Sequence, residues 1–341
     1  MKVLVTGAAG FIGFHVVKRL AERGFEVTGI DNLNTYYDVD LKYARLAECG
    51  IDKDKLADNV GVQSDLYPCY QFQKTDLVDM AALTALFDRN GYEVVVNLAA
   101  QAGVRYSIEH PATYIQSNVV GFLNVLECCR YHKVKHLVYA SSSSVYGMNE
   151  KYPFSEDDVA DCPVSLYAAT KRSDELMAYT YSHLYQLPVT GLRFFTVYGP
   201  WGRPDMSPML FADAILNGRA IKVFNNGDMM RDFTYIDDIV DGVCSVLAVP
   251  PGKEEKYPYY RLLNIGNADP VPLMDFIRTM ERTLGVEARL EMTPMQEGDV
   301  KVTYADVTKL KSLVGYQPHT SLAEGLGIFV AWYKKFYLVR H

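Results

Sequence analysis

The sequence predicts an α/β protein: a doubly wound parallel sheet, completed by a smaller mixed α/β domain toward the C-terminus. Three observations predict it. Short β-branched runs alternate with helical ones through the first part of the chain, a glycine-rich turn joins the first strand to the first helix, and the alternation stops near Tyr198. Strand–helix–strand repetition requires right-handed crossovers and buries the sheet on both faces.

The elements follow in order. Lys2–Thr6 (KVLVT) reads as a buried strand. Phe11–Arg23 carries Ile12, Val16, Val17 and Leu20 at helical spacing, with Gly24 as its stop. Further strands are expected at Glu26–Asp31, Tyr70–Thr75, Glu93–Ala99, His136–Ser141 and Pro188–Phe195, with helices at Asp79–Asn90, Asn118–His132 and Tyr167–Tyr185 between them. An insertion over residues 35–69, rich in Tyr, Asp and Lys, exceeds a normal connection and should hold a helix and a loop over one end of the sheet. Pro200, Gly202, Pro204 and Pro208 then break the pattern. The first domain is therefore expected to span residues 1–197, and a smaller domain residues 198–341, with the chain free to cross back. The last helix, Leu322–Tyr337, starts at a capping-box pair, Ser321 with Glu324.

Composition bounds the function. The chain has 341 residues, 49% hydrophobic and 22% charged, with a net charge of −7. An acidic chain of this kind argues against nucleic-acid binding, which needs a continuous basic face. No apolar run approaches the ~20 residues of a membrane span, and no signal peptide is evident. The six cysteines form no Cys-x-x-Cys pair and have no His-x-x-x-His beside them, so no metal site is expected. Adjacent Cys128 and Cys129 in an apolar helical run read as buried thiols of a reducing compartment, and a cytoplasmic location follows.

Gly7-Ala8-Ala9-Gly10-Phe11-Ile12-Gly13 stands between the first strand and the first helix. Glycines there permit a tight turn and bring backbone N–H groups to a pyrophosphate at the positive end of a helix. Asp31 ends the second strand, where a carboxylate binds adenosine ribose hydroxyls and repels a 2′-phosphate. A Rossmann-like site for NAD, rather than NADP, is the reading. Tyr167 and Lys171 are four apart on a predicted helix and share one face, while Ser141–Ser144 close the fifth strand. A phenol of pKa ~10 is a poor base at neutral pH, and a nearby ammonium favours its phenolate. A serine hydroxyl then aligns the substrate oxygen.

The segments GAAGFIG, Asp31-Asn32, NLAAQAGVRYS (Asn97–Ser107), ASSSSVYG (Ala140–Gly147), YAATK (Tyr167–Lys171) and RDFTYIDDIV (Arg231–Val240) resemble the extended short-chain dehydrogenase/reductases, and among them the nucleotide-sugar epimerases. The resemblance runs over essentially the whole chain. It implies Tyr167, Lys171 and Ser142 as the catalytic residues. It implies NAD held by Gly7, Gly10, Phe11, Ile12, Gly13, Asp31, Asn32, Asp76, Leu77, Ala99, Gln101 and Asn118, together with Tyr167 and Lys171.

Relatives that dehydrate sugar nucleotides carry an Asp-Glu pair where this chain has Ser143 and Ser144. UDP-glucuronate decarboxylases carry Glu at the second of these places. Arg193 to Met206 and Gln296 depart from UDP-glucose epimerases and look like UDP-glucuronate 4-epimerases, as does Asp31–Tyr37 (DNLNTYY). The substrate residues implied are Ser141, Ser143, Thr196 and Arg203 around a C6 carboxylate, Ser142 at the reacting oxygen, Arg231 at the diphosphate, Asp299 at a ribose, and Arg105. The reaction implied is oxidation at C4 of a UDP-sugar, rotation of the 4-keto intermediate and re-reduction by NAD that never leaves. The product of such enzymes feeds surface polysaccharide. Other readings stay open: 4-epimerisation of UDP-glucose or a UDP-N-acetylhexosamine, decarboxylation of UDP-glucuronate, and, from a different class, a non-catalytic dinucleotide-sensing regulator. The resemblance favours a homodimer, although core packing explains the same apolar helix stripes.

Overall fold

A computed structural model describes residues 1–296 and 298–338. Glu297, within the Gln296–Asp299 segment, and residues 339–341 lie outside the described residues. The first part of the chain runs β1 (Lys2–Thr6), α1 (Phe11–Glu22), β2 (Glu26–Asp31), α2 (Val39–Glu48), β3 (Gly61–Gln63), β4 (Tyr70–Lys74), α3 (Met80–Asn90) and β5 (Val94–Asn97). Two single-turn helices, α4 (Tyr106–Glu109) and α5 (Pro111–Tyr114), precede α6 (Gly121–Tyr131), β6 (His136–Ser142), α7 (Leu166–Tyr185) and β7 (Val189–Phe194). The remainder contains β8 (Thr196–Tyr198), α8 (Ser207–Leu216), β9 (Ala220–Val223), β10 (Met230–Tyr235), α9 (Ile236–Val246), β11 (Tyr260–Ile265), β12 (Pro270–Pro272), α10 (Leu273–Leu284), β13 (Arg289–Met292), α11 (Thr308–Val314) and α12 (Leu322–Tyr333).

The doubly wound sheet has eight strands in the order β11-β7-β6-β5-β1-β2-β4-β3. Every neighbouring pair is parallel except β3 with β4. Side chains alternate between two cores, as the pleat dictates. Val3, Val5, Val94, Val96 and Val138 face one core, shared with α1, α9, α10 and α12. Leu4, Val95, Leu137 and Tyr139 face the other, against Leu83 and Phe87 of α3, Phe122 and Leu126 of α6 and Ala178 of α7. Each fully buried side chain of this size contributes about 1.5–3 kcal/mol.

The expected elements stand close to their observed bounds. The helix expected from Asn118 begins as a π-helical turn, Ile115–Val120, and becomes α6 at Gly121. The insertion holds the expected helix, α2, and also β3, an antiparallel edge strand too short to show a sequence period. β11, from the C-terminal part of the chain, pairs with β7 at the edge of the main sheet. Two small sheets, β12-β10-β8 and β13-β9, belong to the C-terminal layer. That layer shares one continuous apolar core with the α1 face, which sets its position over the sheet. Sheet order reverses between β1 and its neighbours β2 and β5, and a crevice opens at the carboxyl ends of the strands there.

Candidate active site

The crevice is lined along one half by the glycine loop. Gly7 has φ +70°, a left-handed conformation, and a Cβ on it would lie 2.8 Å from the Ala99 nitrogen. A Cβ on Gly13 would lie 2.0 Å from the Gly7 oxygen, so only hydrogen lets α1 approach the turn. Gly10 caps α1 without a side-chain bond, which leaves the first helical N–H groups facing the crevice. A dinucleotide diphosphate fits this cradle of bare backbone and positive helix end. Asp31, at the end of β2, accepts from the Leu33 nitrogen at 2.8 Å and lies 3.6 Å from Lys42 Nζ. Lys42 is buried on α2 and lines the same crevice. Sequence reading missed it, because nothing local ties the insertion helix to β2.

Asn32 Nδ2 donates to Asp76 Oδ2 at 3.0 Å, which joins the ends of β2 and β4. Leu77, Ala99 and Gln101 line the crevice, as do Phe11 and Ile12. Asn118 does not. It is 1% exposed, accepts from the Gln101 nitrogen at 2.7 Å, and donates to the Gln101 oxygen and Thr170 Oγ1, each at 3.0 Å. Its amide braces the wall from behind.

Ser165 accepts from the Ala168 nitrogen and starts α7, so Tyr167 sits in the first turn and Lys171 one turn later. Both line the crevice with Ser142, at the end of β6. Ser142 Oγ donates to Ser144 Oγ at 3.1 Å and accepts from the Ser144 nitrogen at 3.2 Å. Lys171 Nζ donates to the Ala140 carbonyl at 2.9 Å and to Asp174 Oδ2 at 3.2 Å. Burial pushes the Asp174 carboxyl up to about 7, with Lys171 acting in the opposite direction.

Ser141, expected at a substrate, lines the crevice and donates to the buried Glu175 Oε1 at 2.6 Å. Arg193 grips the same carboxylate with two bonds of 2.8 Å, and Arg172 adds a third donor. Burial opposes that charge, yet the arginines hold Glu175 below the usual carboxylate range. This floor under the site was invisible locally, because its members come from β6, α7 and β7.

The far wall carries Ser143, Thr196, Arg203, Arg231 and Asp299. Arg203 makes two bonds to Asp205, at 3.0 and 2.5 Å, and the Tyr36 hydroxyl donates to the same carboxylate at 3.0 Å. Burial works against Asp205, but Arg203 and Tyr36 keep its carboxyl below the ordinary range. Arg231 Nη2 donates to Asp299 Oδ1 at 2.7 Å, so these two expected ligand residues meet each other. Arg105 is the exception. It stands outside the crevice lining, exposed, with its guanidinium 4.9 Å over the Phe224 ring.

A sequence model of the NAD dependent epimerase/dehydratase family matches residues 3–266. The chain belongs to this family. A probable UDP-glucuronate 4-epimerase of Rhizobium meliloti is 46% identical, over 100% of this chain and 99% of its own length. UDP-glucuronate 4-epimerase 4 of Arabidopsis thaliana is 46% identical over 98% of this chain and 76% of its own. Among solved structures, UDP-glucuronic acid 4-epimerase from Bacillus cereus, in complex with UDP-glucuronic acid and NAD, matches with a TM-score of 0.87. Its sequence is 31% identical, covering 99% of this chain and 100% of that one. For an epimerase/dehydratase family member the glycine cradle, Asp31 and the Tyr167–Lys171 pair are a donor set that fits NAD.

Proposed function

We propose that the chain is a UDP-glucuronate 4-epimerase, interconverting UDP-glucuronate and UDP-galacturonate. The observation that carries this reading is a crevice holding Ser142, Tyr167 and Lys171 beside a wall of small hydroxyls, Ser143 and Thr196, and Arg203. Relatives of that activity matching nearly the whole chain support it. Ser143 and Ser144 offer no acid pair for elimination of water.

The glycine loop and Asp31 would hold NAD, which would supply a reversible hydride acceptor for C4. Tyr167 takes the C4 hydroxyl proton in the first half and gives it back in the second, and Ser142 orients the oxygen. Lys171 places a positive charge on the side of α7 that bears the phenol. Arg231 and Asp299 exchange their mutual bond for the UDP diphosphate and ribose, which anchors the nucleotide while the keto sugar turns. Ser143, Thr196 and Arg203 read the C6 carboxylate.

The test is incubation of the purified protein with UDP-glucuronate and no added NAD. UDP-galacturonate is the expected product. A UDP-pentose would point to decarboxylation, and turnover of UDP-glucose alone would overturn the substrate.

We also propose a homodimer and a cytoplasmic location. Leu123 and Tyr131 of α6, with Leu176, Tyr179, Leu184 and Tyr185 of α7, are exposed on adjacent helices and suit a second copy of the chain. A monomeric mass in sedimentation at micromolar concentration would refute the dimer. The cysteines are free, and no described helix is long and apolar enough to cross a membrane.

A further inference from the structure

Beneath the Lys171 ammonium lies a carboxylate that the reaction above does not use. Asp174 is 1% exposed, and its Oδ2 accepts from Lys171 Nζ at 3.2 Å. Its Oδ1 is buried without a hydrogen-bond partner. A desolvated carboxylate with one cationic partner and one idle oxygen is costly. Anchoring the lysine does not require it, because the Ala140 carbonyl already accepts from Nζ at 2.9 Å.

We propose that Asp174 is a positioning residue that aims the Lys171 ammonium and sets how much of its charge reaches the Tyr167 phenol. This rests on the roles given to Tyr167 and Lys171 above. An ammonium has three protons. Two are directed at Ala140 and Asp174, which leaves the third for the crevice that Lys171 lines. Ionised, Asp174 cancels much of the lysine's field; protonated, it releases that field toward the phenol.

The surrounding groups leave this task to Asp174. On α7, Glu175 is answered by Arg193 and Arg172. From β6 the pair is faced by the Ala140 carbonyl, Ser141, whose hydroxyl goes to Glu175, and the Tyr139 phenol, which stays protonated because burial raises it well above its ordinary value. From β11, Tyr260 donates to the Glu175 carbonyl. From the turn before α6, the Asn118 amide is spent on Gln101 and Thr170. Asp174, raised by burial to about 7, changes charge near neutral pH. Its protonation on acidification frees the lysine's charge toward the side of α7 that bears Tyr167.

The experiment compares wild type, Asp174→Asn and Asp174→Glu, each purified with its bound NAD. Removing one charge a helical turn or two from a titrating group moves its midpoint by about one pH unit. The Asn variant should therefore shift the acid limb of UDP-glucuronate turnover down by about one pH unit, with KM changed by less than about twofold. The Glu variant keeps the charge and should restore the limb. A residue that merely packs would lower kcat or stability and leave the limb in place. Tyrosinate absorbance, with Tyr167→Phe as the subtraction, should show the same shift without turnover. That arm decides the role of Asp174 even if UDP-glucuronate proves not to be the substrate. Coincident acid limbs and tyrosinate curves in wild type and Asn variant overturn the proposal.

Discussion

Tyr167 and Ser142 reach the crevice from different elements, the first turn of α7 and the end of β6. Tyr167→Phe removes the hydroxyl proposed to exchange a proton with the sugar, while its ring remains packed edge-on to Tyr114 at 6.1 Å. Tyr167→Phe should therefore lower turnover by roughly 10²–10⁴-fold with the circular dichroism spectrum and bound NAD unchanged. Single-turnover assays on the purified variant check this. At the same scale Arg193 is structural. Arg193→Leu leaves the fully buried Glu175 without two of its donors, and should cost about 3–5 kcal/mol in urea unfolding. Loss of less than about 1 kcal/mol would mean that Arg172 and Ser141 satisfy Glu175 by themselves.

Elements matter here through their ends. The carboxyl ends of β1, β2, β5 and β6 deliver Gly7, Asp31, Ala99 and Ser142 to one crevice because parallel strands all point the same way. The β1–α1 turn depends on missing side chains. In Gly13→Ala the new methyl would stand 2.0 Å from the Gly7 oxygen, so turn and helix must separate. The expected outcome is loss of copurifying NAD and a stability loss of about 1–3 kcal/mol, read from released cofactor and thermal melting. The insertion contributes through α2, whose buried Arg45 bonds to the Ala9 oxygen at 2.9 Å and the Trp201 oxygen at 2.7 Å. It thus ties the glycine loop to the turn that leads into Arg203.

For the whole molecule, pH acts on groups that folding desolvates. His136 is 1% exposed between the Leu247 carbonyl and Thr190 Oγ1, and burial lowers it from 6.5 to about 4. The unfolded chain takes the proton first, so the stability from neutral His136 is present above about pH 6.5 and drains as pH falls toward 4. Against His136→Gln, wild type should lose roughly 2 kcal/mol between neutral pH and about pH 5 in denaturant titrations. A pH-independent difference would remove His136 from the acid response. The sequence by itself determined the parallel sheet and the glycine turn with Asp31, written in local periodicity and turn chemistry, and it put Tyr167 and Lys171 on one helix face; Ser142, within the Ser141–Ser144 run, was singled out by the family resemblance. Only tertiary structure decided what stands behind them. Asn118 braces Gln101, Arg105 lies outside the crevice, Ser141 bonds to Glu175, and Arg203 and Arg231 meet Asp205 and Asp299. Lys42 lines the site and Asp174 backs Lys171, both unannounced. The physical reason is that hydrogen-bond partners of buried charges are chosen across elements distant in sequence, where no spacing rule reaches.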